Sequence, residues 1–133
     1  MPHVLISGPC DLRRFWESFA PTLIRNERLI VKAVDVYVAS GGKRALVECA
    51  VIEGFLRQSF LIELAEREGG MVVRLFGSQK PEKTDGVRYA LGWIAHILVQ
   101  RMPGCRMIAA NLGIDLPEIW TDSAAESPED HLP

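Results

Sequence analysis

Three carboxylates, Asp35, Glu48 and Glu63, fall in segments where apolar and polar residues alternate, and strand geometry would set them in one row. A Gly41-Gly42 turn pairs Ser40 with Lys43. It therefore puts Asp35 opposite Glu48, with Val34 facing Cys49 on the other side. A four-residue loop at 54–57 pairs Glu53 with Gln58 and brings Glu48 opposite Glu63. Opposed strand residues lie about 4.5–5.5 Å apart at Cβ, so like charges there either raise their pKa values or recruit a cation. Arg74, opposite Ala65 across a Gly69-Gly70 turn and so diagonal to Glu63, is the expected neutralising partner. Such a row can hold a cation, a basic partner or a proton. The simpler reading is a solvated, charged sheet face, and a slip of two residues would keep the face while breaking the row.

Tyr37, Leu46, Ile52, Leu61 and Phe76 share that face with the acids, a mixture that suits a ligand surface or a subunit contact. Tyr89, Trp93 and His96 form a second sparsely charged surface on one side of a helix, unless residues 107–120 fold back over it. His96 is the one histidine well placed for acid–base work. It has no Ser or Cys partner at a recognisable spacing, there is no G-x-S-x-G, and the glycine turns lack the Lys-Ser or Lys-Thr of a phosphate loop. Packing beside aromatics with one hydrogen bond is the plainer role for it, and Arg13-Arg14 reads as a solvated helix flank. Cys10, Cys49 and Cys105 have neither Cys-x-x-Cys spacing nor a nearby histidine, so three reduced thiols are expected and no metal or cofactor. Cys49 lies within an apolar run and should be buried.

The elements that must position these groups follow from period and punctuation. Residues 3–7 form a β-like run closed by Gly8-Pro9, and Asp11 stands where an N-cap opens a helix. Leu12, Phe15, Trp16, Phe19, Leu23 and Ile24 recur at helical spacing, although Pro21 should end or kink that helix near Ala20. From Leu29 the period becomes two, with Ile30, Val31, Val34, Val36 and Val38 β-branched. Residues 45–52 return as the second strand of a hairpin. Residues 55–68 are read as a third strand, because no clean helical face can be drawn through them, and residues 71–76 as a fourth. Thr84 or Asp85 caps a helix over 87–102, ended by Pro103-Gly104, and residues 107–110 are a short candidate strand.

The sequence of 133 residues is 48% apolar and 24% charged, which fits one globular core over residues 1–120, with 121–133 as an acidic disordered tail. Fifteen basic against seventeen acidic residues, scattered to a net −2, leave no footprint for nucleic acid. There is neither a signal segment nor a membrane-spanning run, so no membrane partner and a cytoplasmic location are expected.

The opening Met1-Pro2-His3, running directly into an apolar strand and then a helix, resembles the tautomerase superfamily, in particular its 5-carboxymethyl-2-hydroxymuconate isomerase branch. Residues 75–102 (LFGSQKPEKTDGVRYALGWIAHILVQRM) are similar to that family's second strand, loop and helix, with 107–110 as a following strand. The resemblance implies an isomerase in which the exposed amine of Pro2, freed by Met1 removal, is the general base. The hairpin over 60–71 and the lack of matching substrate arginines depart from the family pattern. Pro2 read by itself begins an edge strand where no N–H is needed.

The expectation is thus an α+β fold, a mostly antiparallel sheet of about five strands with two helices on one face, or, were 55–68 helical, a ferredoxin-like βαββαβ arrangement. The expected core is Val4, Ile6, Phe15, Phe19, Val34, Val36, Val47, Val51, Phe60, Ile62, Val73, Leu75, Leu91, Ile94 and Leu98. The leading functional expectation is a non-catalytic ligand-binding or protein-interaction domain that forms a homo-oligomer, with a small-molecule or protein partner. The alternative is the Pro2-based isomerase.

Overall fold

In the computed structural model, residues 2–25, 28–77 and 81–114 are described. The chain runs β1 (His3–Ser7), α1 (Leu12–Ser18), β2 (Thr22–Arg25), β3 (Leu29–Val38), β4 (Arg44–Glu53), β5 (Leu56–Arg67), β6 (Gly70–Phe76), α2 (Asp85–Arg101) and β7 (Arg106–Asn111). The strands form one sheet in the order β2-β3-β4-β5-β6-β1-β7, and every neighbouring pair is antiparallel. It curls into a half-barrel around α2, which touches β1, β3, β4, β6 and β7.

This corrects the expected five-stranded sheet with two helices laid on one face. Two strands lie beyond the expected five: β2, where a helical stripe is expected, and β7, over the short candidate strand at 107–110. Leu23 and Ile24 continue the apolar stripe of α1, but Pro21 supplies no N–H and disfavours helix at Ala20, so the chain leaves α1 at Ser18 and Thr22–Arg25 pairs with β3. At the other end, Arg106–Asn111 joins β1 as the seventh strand. The ferredoxin-like alternative falls as well, because residues 56–67 are the twelve-residue strand β5.

The turns explain the pairing. Gly54 (φ +60°) and the exposed Phe55 make a two-residue turn that pairs Glu53 with Leu56. Gly69 (φ +76°) turns β5 into β6 with Arg67 opposite Gly70. Gly70 therefore sits inside a strand between two neighbours, also pairing with Ser7, and a Cβ on it would lie 1.9 Å from the Ile6 carbonyl oxygen. Gly70→Ala must push β1 from β6. It is expected to cost about 3 kcal/mol, the upper end for overpacking, as read by urea denaturation.

Alternation fixes the core. Val31, Val47, Val51, Ile62, Leu64 and Val73 point inward to meet Phe15, Leu91, Ile94 and Leu98. Two expected core residues differ. Val34 is 39% exposed, because a bulge between Ala33 and Asp35 leaves it unpaired and puts Ala33 opposite Cys49 instead. Phe19 is half-buried at the end of α1, edge-on to Phe15. Asp11 caps α1 as expected, accepting from the N–H groups of Arg13 and Arg14 at 3.1 and 3.2 Å. The stretch 121–133, read as an acidic disordered tail, lies outside the described residues.

Candidate binding cleft

On the outer face of the sheet, Asp35 is opposite Glu48 despite the bulge, so the hairpin register is as expected there. The row ends at Glu48. The tighter Gly54-Phe55 turn slides β5 by two residues, placing Leu61 opposite Glu48 and Glu63 opposite Leu46. At Gly69 the turn keeps two residues but sits one position earlier, at Glu68-Gly69, and so brings Arg74 directly opposite Glu63 rather than diagonal to it. The three acids are thus separate groups. Asp35 accepts from the N–H of Val36 at 2.8 Å, and Glu48 accepts from the Tyr37 hydroxyl at 2.8 Å. That hydrogen bond, more than burial, raises the Tyr37 phenol pKa.

Glu63 is only 2% exposed. Its Oε1 accepts from Arg74 Nε at 2.7 Å, and its Oε2 accepts from Arg44 Nε at 3.0 Å and Nη2 at 2.5 Å. Burial works to raise this carboxyl, but the two guanidinium groups outweigh it and hold the pKa below the usual carboxylate range. The cluster is a structural clasp across β4, β5 and β6. Arg44 was missed in the sequence because the assumed loop length put it out of Glu63's reach.

The aromatic side of α2 is internal. Trp93 and His96 are 0% and 1% exposed, and the helix is buried almost continuously from Gly86 to Val99. That surface is therefore closed to a subunit contact. Tyr89 is half-buried one turn from the helix start, where burial pushes its phenol pKa up.

Tyr89 lines a cleft of about 970 Å³ formed by the ends of β2, β3 and β4 and the start of α2. One lip carries Arg25 and Arg28, from the end of β2 and the approach to β3. The walls are Leu29, Ile30, Ile52 and Ile114, and the far rim is Glu53, Gly54, Asp85 and Gly86. Its geometry depends on how closely α2 meets β4. A Cβ on Gly86 would lie 2.6 Å from Val51 Cγ1, so glycine alone admits the helix start there. Glu53 then ties the helix down, accepting from the Thr84 hydroxyl at 2.5 Å and the Gly86 N–H at 3.1 Å, while Thr84 accepts from the Val87 N–H at 3.3 Å. With Glu53 so engaged, Asp85 is the other acid on the rim. Apolar walls, one half-buried phenol and two guanidinium groups suit a ligand with a flat apolar part and an anionic part.

Sequence reasoning missed Arg25 and Arg28. The signal was Arg25-Asn26-Glu27-Arg28 set between two β-branched runs, which is hairpin punctuation, and it was obscured by extending α1 through Ile24. The whole-chain charge conceals a second feature. Residues 1–114 hold all fifteen Lys and Arg but eleven of the seventeen acids, a net +4, and 115–133 hold the other six acids.

Pro2 is buried immediately before β1 and lines none of the clefts described here. Cys49 is fully buried, as expected, and burial raises its thiol pKa. Among the described residues no cluster of His, Cys, Asp and Glu could hold a metal ion, and no helix is long and apolar enough to cross a membrane.

No family model matches the chain, and no solved structure matches it. Among curated proteins, a tRNA (guanine-N(7)-)-methyltransferase of Deinococcus radiodurans is 33% identical to it over 101 residues, which are 74% of this chain. Those residues are 30% of the relative, so this chain spans under a third of that protein's length.

Proposed function

We propose that this chain is a non-catalytic binding domain for RNA, working in the cytoplasm and taking a nucleotide unit in the cleft at the start of α2. The observation that carries the reading is the cleft: two arginines, a half-buried tyrosine from the first turns of α2, and isoleucine walls. A phosphate would lie on Arg25 and Arg28, where planar guanidinium groups can each give two hydrogen bonds. The base would stack toward Tyr89 and Ile114, since RNA-binding sites hold unpaired bases against aromatic side chains. Asp85 opposite can accept from a base amino group, which favours a nucleotide with its base splayed out over a bare phosphate.

The +4 charge of residues 1–114 supports an anionic partner, a bias that the whole-chain net of −2 conceals. The matched relative is named for action on tRNA, and a shared RNA-binding stretch is consistent with a match to 30% of it. Methyl transfer itself requires a site for a methyl donor. The sheet is antiparallel throughout, unlike the open α/β sheets that hold such cofactors at a switch point between parallel strands, which supports a binding role for this stretch.

Fluorescence anisotropy with a labelled tRNA transcript tests the reading. Binding at about 50 mM salt is expected, weakened at least tenfold by Arg25→Glu with Arg28→Glu, and the salt slope should fall by about 1.4 for two lost phosphate contacts. A protein that leaves tRNA unbound at this salt, or binds it equally well after charge reversal, overturns the proposal.

A further inference from the structure

Cys10 and Cys105 are 95 positions apart, yet their sulfur atoms lie 3.1 Å from each other. Glycines at two tight loops make this approach possible. Gly8 has φ +109°, and a Cβ there would sit 2.3 Å from the Gly104 carbonyl oxygen; Gly104 has φ +90° and packs on the Pro9 ring. The loop that opens α1 and the loop that opens β7 are thereby held backbone to backbone. Cys105 is buried and donates its thiol hydrogen to the Pro9 carbonyl at 3.3 Å, which leaves its sulfur free to accept from Cys10. Cys10 is half-buried and lines a separate cleft of about 550 Å³, whose walls include Asp11, Glu66, Arg67 and Gly70.

We propose that Cys10 and Cys105 form a reversible dithiol–disulfide site, oxidised by small hydroperoxides that reach Cys10 through this cleft. Cys10 loses its proton to solvent, and its thiolate attacks the terminal oxygen of the hydroperoxide. The O–O bond breaks and an alcohol, or water from hydrogen peroxide, departs after taking up a proton. The Cys105 sulfur then attacks the resulting Cys10 sulfenic acid, the S–O bond breaks, and water leaves with the proton of Cys105. Two thiols and one hydroperoxide thus give one disulfide, one alcohol and one water, the two electrons passing from sulfur to the O–O bond. A small dithiol reverses the reaction by exchange.

The geometry sets the kinetics as well as the product. Burial, then the Cys105 contact, pushes the Cys10 thiol up to about 12, so little thiolate exists at neutral pH. Oxidation is therefore slow at pH 7 and accelerates roughly tenfold per pH unit until the thiolate is formed. Cys49 is buried in the core and stays reduced.

The experiment treats the intact protein with hydrogen peroxide at pH 7, 8 and 9, alkylates it after unfolding, and measures intact mass and peptides. A mass lower by about 2 Da before alkylation, one alkylated cysteine out of three, and a peptide joining Cys10 to Cys105 are expected, all reversed by dithiothreitol. The cross-link closes a long loop, so Tm should rise by on the order of 10 °C. Three alkylated thiols after treatment at pH 9, a gain of about 32 Da on Cys10 without a cross-link, or a disulfide involving Cys49 would each overturn the proposal.

Discussion

Trp93→Ala is expected to lower the unfolding free energy by about 3–5 kcal/mol, as measured by urea denaturation. Trp93 is fully buried in a helix enclosed from several sides, so the hole left by an indole cannot be closed by a shift of one neighbour. Its Nε1 finds no hydrogen-bond acceptor among the described residues, which is an uncompensated cost of burial in the native state. Trp93→Phe removes that cost along with part of the volume, and should stay within about 1 kcal/mol of the parent. Equal losses in the two variants would mean that the indole N–H is satisfied and the ring's shape carries the whole effect. A negligible loss in Trp93→Ala would mean that the half-barrel does not close on α2.

Arg44→Met with Arg74→Met gives the second large effect, because it strands the buried Glu63 carboxylate. The expected cost at pH 7 is about 3 kcal/mol, at the low end for breaking a buried ion pair because both arginine side chains are substantially exposed. Methionine keeps the aliphatic stems, so the loss reports charge and not packing. The sign of the pH dependence should also invert. In the parent, the folded-state pKa of Glu63 is lowered, so its contribution is present above the unfolded value near 4.5 and is lost as pH falls through the folded value. Without the arginines, burial alone acts and the folded pKa is raised. The variant is then closest to the parent below pH 4.5 and falls behind as pH rises. Stability curves of parent and variant that run parallel from pH 3 to 7 would remove Glu63 as the cause.

Local chemistry made much of the chain legible. The Asp11 cap, the helix through Leu91 and Leu98, the hairpin over β3 and β4, and the strand character of residues 56–67 all rest on contacts within a few residues or on the period of burial. The pairing of Asp35 with Glu48 was readable for the same reason, since a glycine turn fixes register on both of its arms. The acidic row failed for a reason equally physical. One loop was two residues shorter than assumed and the next turn sat one residue earlier, and together they moved Glu63 from an acid to two arginines. The cleft was less legible still, for it needs β2, which the apolar stripe of α1 disguised, and it gathers residues from β2 to beyond β7.

The sequence by itself determined the strand or helix character of every element but β2, and the apolar side of the strands apart from the bulge at Val34, because these depend on dihedral preference, turn glycines and the alternation of neighbours. Only the tertiary structure decided that β1 lies between β6 and β7, that α2 is enclosed until Trp93 and His96 are internal, and that Cys10 meets Cys105. Those outcomes come from curling a seven-stranded sheet into a half-barrel around a helix. They are settled by packing between segments far apart in the chain, where no local period carries information.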